Sequence, residues 1–338
     1  MAAPVPEDIT TETPANPAHA VRLLCRQNKF TAPSTGLAGG HIQANLLVLP
    51  RAHAADFHSF CLRNPVPCPL LATGTATSLS SPLITTPFDL RTDIPRYNIY
   101  SAGKLIHANE LSLADVWDET SHVAFLIGCS FSFDGALADA GLTPRHVEKQ
   151  CNVSMYTTTQ RLKPAGIFTD ATYVVSMRPY RLEDVETVRS IARRYSEMHG
   201  EPIGLGWEAV EVLGIKDLSN PDFGDPVEIM EGEVPVFWGC GVTPQNAVMR
   251  AGDQVKGTVM SHSPGHMLIC DVREEEYSRW RTNHQYNEFV TSYHVHLHLE
   301  TVIRTKDNPK MQYKLGLTAA LVMATGRDLF AGRDGTTV

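Results

Sequence analysis

The chain lacks the signatures of several common classes of enzyme. Its 338 residues contain no GxSxG, no P-loop and no GxGxxG following a strand, which argues against an α/β-hydrolase, an NTPase and a nicotinamide enzyme. Its seven cysteines form no CxxC pair, which favours a reducing compartment over a disulfide framework. We therefore expect chemistry without a cofactor, in the cytoplasm or, as the alternative, in the mitochondrial matrix.

Long apolar runs and blocks of basic residues are also missing. The longest apolar stretches, such as 315–324, are much shorter than the roughly 20 residues that span a bilayer. A net charge of -8 and a pI near 5.9 argue against a nucleic-acid partner. We expect a soluble protein with a small-molecule substrate and neither nucleic acid nor membrane as a partner, and homo-oligomerisation is left open. Residues 1–16, rich in proline, resemble a disordered tail.

Apolar strand-like segments alternate with amphipathic helical ones through most of the chain, without an internal repeat. Examples are the strands at 44–49 and 173–177 and the helices at 54–61 and 184–197. This alternation predicts an α/β fold with a mixed sheet flanked by helices.

Three segments combine an apolar run with a turn of small and polar residues. They are Phe125–Phe133, Gly232–Gln245 and Ser261–Asp271. The first belongs to the apolar run 124–133, which we expect to be a buried strand kinked at Gly128-Cys129-Ser130. Glycines at the end of a strand let the backbone approach a ligand closely. We therefore predict that the three segments converge on one cleft.

Histidines offer candidates for proton transfer. His262 and His266 bracket a Pro-Gly turn that disfavours a helix, and imidazole titrates near neutral pH. A catalytic or substrate-binding role is the main hypothesis, and a metal site or a structural role are the alternatives. His294, His296 and His298 would share one face of a strand, which is most often only a polar face.

Two further groups of residues are open to more than one interpretation. Cys129 and Cys240 lie in glycine-flanked turns and are either nucleophilic thiolates or small buried fillers. Asp89, Arg91, Asp93 and Arg96 form either a surface network of ion pairs or a carboxylate-binding site.

Taken together, the motifs resemble those of the D-glutamate cyclase family, whose members are also called putative hydro-lyases. The strings that carry the resemblance occur in order over residues 17–275: LRTDIPRY, FLIGCSFSF, RHVEKQCNVSMYTT, VVSMRP, HGEPIGLG, PDFGD, GEVPVFWGCGVTPQ and SHSPGHMLICD. The resemblance implies a lyase that interconverts D-glutamate and 5-oxo-D-proline plus water. It also implies a smaller inserted α+β subdomain, at about 85–175. Residues 276–338 lie outside the resemblance, and Gly204 stands where the family pattern has a histidine.

Such a cyclisation needs a base, an acid and donors for an oxyanion. His262 or His266 is the first choice for base and acid and Asp93 or Glu233 the second, while Cys129 and Cys240 complete the catalytic candidates. Backbone N–H groups at 128–130 and 239–241 are candidate oxyanion donors. Arginine pairs well with carboxylates, and the candidates for binding the substrate are Arg91, Arg96, Ser130, Arg178, His199, Thr243 and Gln245. Two other functions stay open: a metal-dependent hydrolase and a non-catalytic binder of an acidic amino acid.

Overall fold

The computed structural model describes residues 16–277 and residue 279. Predictions for residues 1–15, for the C-terminal segment and for the histidines at 294, 296 and 298 therefore lie outside the described residues. By its internal contacts the chain divides into two units after Tyr277, and the first unit contains every helix and strand within 16–277. The helices are α1 (Pro17–Arg26), α2 (Arg51–Arg63), α3 (Phe131–Asp139), α4 (Arg145–Glu148), α5 (Val185–Arg193), α6 (Gly206–Leu213) and α7 (Thr243–Ala251).

The strands alternate with these helices along most of the chain, as the sequence predicts. They are β1 (His41–Pro50), β2 (Leu70–Gly74), β3 (Tyr97–Ser101), β4 (Lys104–Glu110), β5 (His122–Gly128), β6 (Ser154–Arg161), β7 (Thr172–Arg181), β8 (Gly204–Leu205), β9 (Glu233–Gly239), β10 (Thr258–His262) and β11 (Leu268–Arg273). The α/β class is therefore confirmed.

The larger sheet has seven strands in the order β2-β5-β1-β10-β3-β4, with β11 also paired to β1. Strand β1 is the centre of this sheet, and nine of its ten residues are buried. One of its edges pairs with β5, while β10 and β11 share the other edge. Strands β10 and β11 pair with separate stretches of β1. The turn that joins them lies beside the residues between those stretches, Asn45 and Leu46.

The smaller sheet has four strands in the order β6-β7-β9-β8. Every described strand pair in both sheets is antiparallel, so the prediction of a mixed sheet is wrong in this respect. Alternating helices and strands indicate the layers of a fold but not the direction in which strands pair, because pairing depends on contacts far apart in sequence.

The predicted kinked strand at 124–133 is also corrected. Strand β5 ends at Gly128, and helix α3 begins at Phe131. The apolar run continues through the turn because both elements are buried, so hydrophobicity alone does not mark the boundary.

Strands within the range 85–175 are divided between the two sheets. Strands β3, β4 and β5 belong to the larger sheet, and β6 and the start of β7 to the smaller one. The inserted subdomain stays a prediction.

Candidate active site

A narrow cavity lies where β5 and β9 end. Its empty space is about 270 Å³ including the open mouth, but its interior has room for roughly one water molecule. The lining residues come from the three segments that the sequence singles out, together with β1 and the stretch from Asn152 into β6: Asn45, Cys129, Ser130, Phe131, Asn152, Val153, Met155, Cys240, Gly241, Val242, Gly265 and Met267. The predicted convergence of the three segments on one cleft is therefore confirmed.

Two cysteines from different sheets line this cavity. Cys129 separates β5 from α3, and Cys240 separates β9 from α7. Burial raises the pKa of both thiols, that of Cys240 to about 11 and that of Cys129 still higher. Backbone N–H groups of Phe131 and Val242 point at the two sulfurs and lower these pKa values, but by less than burial raises them. At neutral pH both residues are thiols.

Ser130 connects the cavity to a buried network of charges. Arg178 donates a hydrogen bond from Nη2 to Ser130 Oγ at 3.0 Å and another to Asp134 Oδ1 at 2.9 Å. The other oxygen of Asp134, Oδ2, lies 3.1 Å from Nε2 of His146. Since Ser130 Oγ accepts from the guanidinium, its own hydrogen is left to donate elsewhere.

Arg178 is completely buried and enclosed on two sides by aromatic rings. Its guanidinium carbon lies 5.3 Å from the ring centre of Phe133 and 5.1 Å from that of Trp238. Burial raises the pKa of Asp134, but the Arg178 guanidinium and His146 outweigh that effect and hold it below its usual range. An ionised Asp134 therefore balances the charge of Arg178, which contacts the cavity through Ser130.

Two asparagines approach the cavity closely because the facing residues are glycines. A methyl group on Gly241 would overlap the carboxamide of Asn45, and one on Gly265 would overlap that of Asn152. Asn152 Nδ2 donates to the carbonyl of Pro264 at 3.2 Å, while its Oδ1 is buried without a hydrogen-bond partner in the described part of the chain. Asn152 lines the cavity and thus carries an acceptor that has no partner among the described residues.

The two histidines first chosen for proton transfer do not line the cavity. Nδ1 of His262 lies 3.0 Å from the carbonyl oxygen of Leu46, where β10 and β11 diverge from β1, and burial lowers the pKa of His262 to about 4. Nδ1 of His266 lies 3.0 Å from the carbonyl oxygen of Pro264, and its pKa is lowered, mainly by burial. Nδ1 of His262 also lies 3.2 Å from the backbone nitrogen of Leu46, so in both histidines Nδ1 has a backbone partner, which suits a structural role.

His199, another predicted site residue, is also buried outside the lining. Its Nδ1 lies 2.8 Å from the carbonyl oxygen of Val66, and burial lowers its pKa to about 4. Gly204 lies on β8 opposite Phe237, also outside the lining.

The charged candidates near 89–96 form ion pairs and backbone contacts away from the cavity. Asp93 accepts two hydrogen bonds from Arg26 on α1, at 2.8 and 2.7 Å. Arg91 pairs with Asp89, and Arg96 donates to the carbonyl of Thr31. These partners favour the network interpretation of this cluster.

Glu233, Thr243 and Gln245 likewise have partners within the protein. Glu233 pairs with Arg145 at 2.6 Å, at the opposite end of β9 from Cys240. The Thr243 hydroxyl bonds Val174, and Gln245 donates to the carbonyl of His262. Of the thirteen predicted site residues, the cavity brings together Cys129, Ser130 and Cys240, with Arg178 directly behind Ser130.

Sequence reasoning missed both asparagines of the cavity and the Asp134–His146 pair. Asn45 was open to detection, because a carboxamide interrupts the otherwise apolar run ANLLVL within β1. Asn152 had no such signal, since it precedes β6 in an ordinary polar stretch.

Comparison with known proteins places this site in a family. The family model described as "D-glutamate cyclase" matches residues 123–271, which include the turns of both cysteines and the 263–267 turn. A "Putative hydro-lyase" of Rubrobacter xylanophilus is 49% identical over 77% of this chain and 97% of its own length. Proteins with the same description from Bordetella pertussis and Schizosaccharomyces pombe are 46% and 45% identical, over 76% and 74% of this chain and 90% and 83% of their own lengths.

These relatives place the chain among the hydro-lyases, so it is an enzyme of that class. It belongs to the D-glutamate cyclase family. A solved structure, a nitrogen repressor-like protein from Methanococcus jannaschii, aligns with a TM-score of 0.30 and 9% identity over 67% of this chain and 83% of its own, which is too low to support a fold assignment.

Neither a metal-binding cluster nor a membrane-spanning helix occurs among the described residues. No group of three or more His, Cys, Asp or Glu side chains within them is arranged to hold a metal ion. None of the helices at 16–277 is long and apolar enough to cross a membrane.

Proposed function

We propose that this enzyme interconverts D-glutamate and 5-oxo-D-proline plus water, and that the reaction takes place in the cavity between Cys129 and Cys240. The observation that carries the proposal is the position of Ser130. Ser130 lines the cavity, and its hydroxyl accepts a hydrogen bond from Arg178, which leaves the hydroxyl hydrogen for a substrate oxygen. Family membership supports the reaction class.

Ring closure places specific demands on the site. The α-amine of glutamate forms a C–N bond to the γ-carboxyl carbon, one C–O bond breaks, and the oxygen leaves as water with two protons. Charge accumulates on the remaining oxygen in the tetrahedral intermediate, so donors fixed in advance stabilise the transition state most. Ser130 is one such donor, and the first turns of α3 and α7 contribute the positive ends of two helix dipoles.

Two of the oxyanion donors expected from the sequence are already engaged. The N–H of Gly128 donates to the carbonyl of Pro69 at 2.9 Å, and that of Cys240 to the carbonyl of Val174 at 3.0 Å. Since a hydrogen already donated within the protein is poorly available to a substrate, the Ser130 hydroxyl becomes more important for the proposed reaction.

Asn152 supplies the matching acceptor. Its Nδ2 is held by Pro264, so the orientation of the carboxamide leaves Oδ1 for a donor on the substrate. The α-ammonium of glutamate and the lactam N–H of 5-oxoproline are both donors of this kind. A site with one fixed donor and one unpartnered acceptor complements the C=O and N–H of a lactam.

The thiols suit proton donation at neutral pH. Because burial keeps Cys129 and Cys240 protonated, each can donate to a carboxylate or to a leaving oxygen without prior ionisation. Nucleophilic attack would instead need a thiolate. The narrow interior also requires lining side chains to move when glutamate enters.

Incubation of the purified protein with D-glutamate, L-glutamate and both 5-oxoprolines, followed by chiral chromatography, tests the proposal. We expect conversion between D-glutamate and 5-oxo-D-proline, lowered in Ser130→Ala. Binding of these compounds without turnover would instead identify a non-catalytic binder. A parent rate in a folded Ser130→Ala protein would remove Ser130 from the mechanism.

A further inference from the structure

The two cysteine turns are copies of one local arrangement. In each, a buried strand ends in Gly-Cys and is followed by a helix: β5 ends at Gly128 before Cys129 and α3, and β9 ends at Gly239 before Cys240 and α7. The strand register agrees as well, because Gly128 pairs with Ala44 on β1, and Gly239 pairs with Val175 on β7.

Hydroxyl groups occupy equivalent positions in the two arrangements. The third residue after each cysteine is Ser132 or Thr243. Ser132 Oγ accepts from the N–H of Gln43 at 3.0 Å and donates to the carbonyl of that residue at 3.5 Å. Thr243 Oγ1 likewise accepts from the N–H of Val174 at 3.1 Å and donates to the carbonyl of Val174 at 3.2 Å. Gln43 and Val174 are each the residue before the partner of the strand-ending glycine.

The equivalence extends one turn further into each helix. The fifth residue after each cysteine contacts a buried histidine: Asp134 contacts His146 at 3.1 Å, and Gln245 contacts His262 at 3.3 Å. The two turns are therefore locally equivalent, although Gly-Cys, a hydroxyl and a polar residue are all that they share in sequence.

Each of the two equivalent turns contributes one thiol to the same cavity. Cys129 and Cys240 both line it and are close enough to influence each other electrostatically. Two acid–base groups that approach one carbon from different sides can remove a proton from one face and add a proton to the other.

We propose that Cys129 and Cys240 form a two-thiol acid–base pair that exchanges the α-hydrogen of an acidic amino acid or its lactam, with inversion at that carbon. The substrate class rests on the proposed function, but the exchange is a separate activity. Through this inversion, either enantiomer of the substrate yields the D form that the proposed cyclisation uses.

Protons and electrons balance over the two steps. Because both cysteines are thiols at rest, one of them first gives its proton to solvent. The resulting thiolate takes the α-hydrogen as a proton and becomes a thiol, while the electron pair of the broken C–H bond delocalises into the adjacent carboxyl group. The thiol of the other cysteine then gives its proton to the opposite face and becomes the thiolate. No oxidant or reductant is needed, and solvent protons restore the starting state.

Three features of the cavity favour this chemistry. The first turns of α3 and α7 stabilise negative charge on the carboxyl group. The N–H groups of Phe131 and Val242, directed at the sulfurs, favour the thiolate that the first step requires and partly offset burial. The unpartnered Oδ1 of Asn152, a residue only 8% exposed, is an acceptor available to the substrate nitrogen next to the carbon that reacts.

The test is incubation of the full-length protein in D₂O with each enantiomer of glutamate and of 5-oxoproline. Proton NMR follows loss of the α-hydrogen signal, and chiral chromatography follows inversion. We expect deuterium at the α-carbon of at least one of these pairs, together with appearance of the other enantiomer. Cys129→Ser and Cys240→Ser should each slow the exchange by roughly 10²–10⁴-fold.

Cys151→Ser is the matched control, since Cys151 lies outside the cavity lining and is partly exposed. It should exchange at the parent rate, and circular dichroism should show that all three variants are folded. If the two cavity variants do not fold, Cys129→Ala and Cys240→Ala replace them in the same assay.

The result separates this inference from the proposed function. Cyclisation without α-exchange in any of the four compounds would overturn the two-thiol pair and leave the cyclase proposal standing. Exchange without cyclisation would support the pair and contradict the cyclase. Exchange at the parent rate in both folded cysteine variants would also overturn the pair, because another group would then be moving the proton.

Discussion

Arg178 donates a hydrogen bond from Nη2 to Oγ of Ser130 over 3.0 Å, from a position with no exposure to solvent. A buried guanidinium thus sets the direction of a hydroxyl that lines the cavity. The sequence suggested that Arg178 binds a substrate carboxylate directly. Its partners are instead Ser130, Asp134 and Ser176, which makes it a positioning residue for Ser130 in the proposed mechanism.

Ser130→Ala should lower turnover of the proposed substrate by roughly 10²–10³-fold, the usual cost of removing one oxyanion donor. Ser176→Ala is the matched control, because its hydroxyl also accepts from Arg178 but does not line the cavity. Steady-state kinetics should show a loss in kcat for the first variant and a change of only a few-fold for the second. Equal losses in both would indicate a purely structural role for these hydroxyls.

Arg178→Met should destabilise the fold by about 3–5 kcal/mol, since it leaves the ionised Asp134 buried without its main partner. Urea denaturation measures the change. Arg193→Met is the comparison: Arg193 pairs with Glu201 at the surface, where water screens the interaction, so little change is expected. A midpoint for Arg178→Met equal to that of the parent would mean that Asp134 is neutral in the folded protein.

Gly241→Ala should destabilise the protein by about 1–3 kcal/mol, because the added methyl group overlaps the Asn45 carboxamide beside the cavity. Gly135→Ala makes the same chemical change inside α3, where the new methyl meets only ordinary contacts. It should stabilise by about 0.5–1 kcal/mol through helix propensity. Thermal unfolding of the two variants should move the melting temperature in opposite directions.

Stability should rise with pH between about 4 and 6.5. His199 and His262 have folded-state pKa values of about 4, below the unfolded value near 6.5. The unfolded chain therefore binds more protons within this window, and each histidine contributes a slope of up to about 1.4 kcal/mol per pH unit. Their stabilising effect is complete above pH 6.5 and is lost as the pH falls toward 4.

Urea midpoints measured every half unit from pH 4.5 to 7.5 test this expectation. Replacing His262 with Gln should reduce the slope by about one proton, in addition to any loss of stability at neutral pH. A parent slope near zero over this window would show that the two imidazoles are charged in the folded state.

Removal of the C-terminal segment should be tolerated only if the cut comes after Tyr277. Although the sequence resemblance ends at about residue 275, Tyr277 is 1% exposed and its hydroxyl donates to the carbonyl of Leu71 at 3.2 Å. Truncation after residue 279 should therefore fold. Truncation after residue 275 should cost about 3–5 kcal/mol more, as for loss of a large core side chain. Equal urea midpoints for the two proteins would contradict a role for Tyr277 in the core.

Much of the local structure follows from the sequence alone. The apolar runs at 44–49 and 173–177 lie within β1 and β7, and the helix expected at 184–197 is observed as α5 at 185–193. Composition and periodicity are sufficient there because such segments bury one face or both faces wherever they pack. The three turn segments and the family were likewise recognisable from short strings.

Only the tertiary structure determined which side chains meet. Antiparallel pairing, the Arg26–Asp93 and Arg145–Glu233 ion pairs, and the access of Asn45 and Asn152 to the cavity all join residues far apart in the chain. The equivalence of the Cys129 and Cys240 turns is of the same kind, since it lies in hydrogen bonds to neighbouring strands and not in a repeated string. Residue types and spacing specify what each segment can do locally, but the partner that neutralises a charge or orients a hydroxyl is determined by long-range packing.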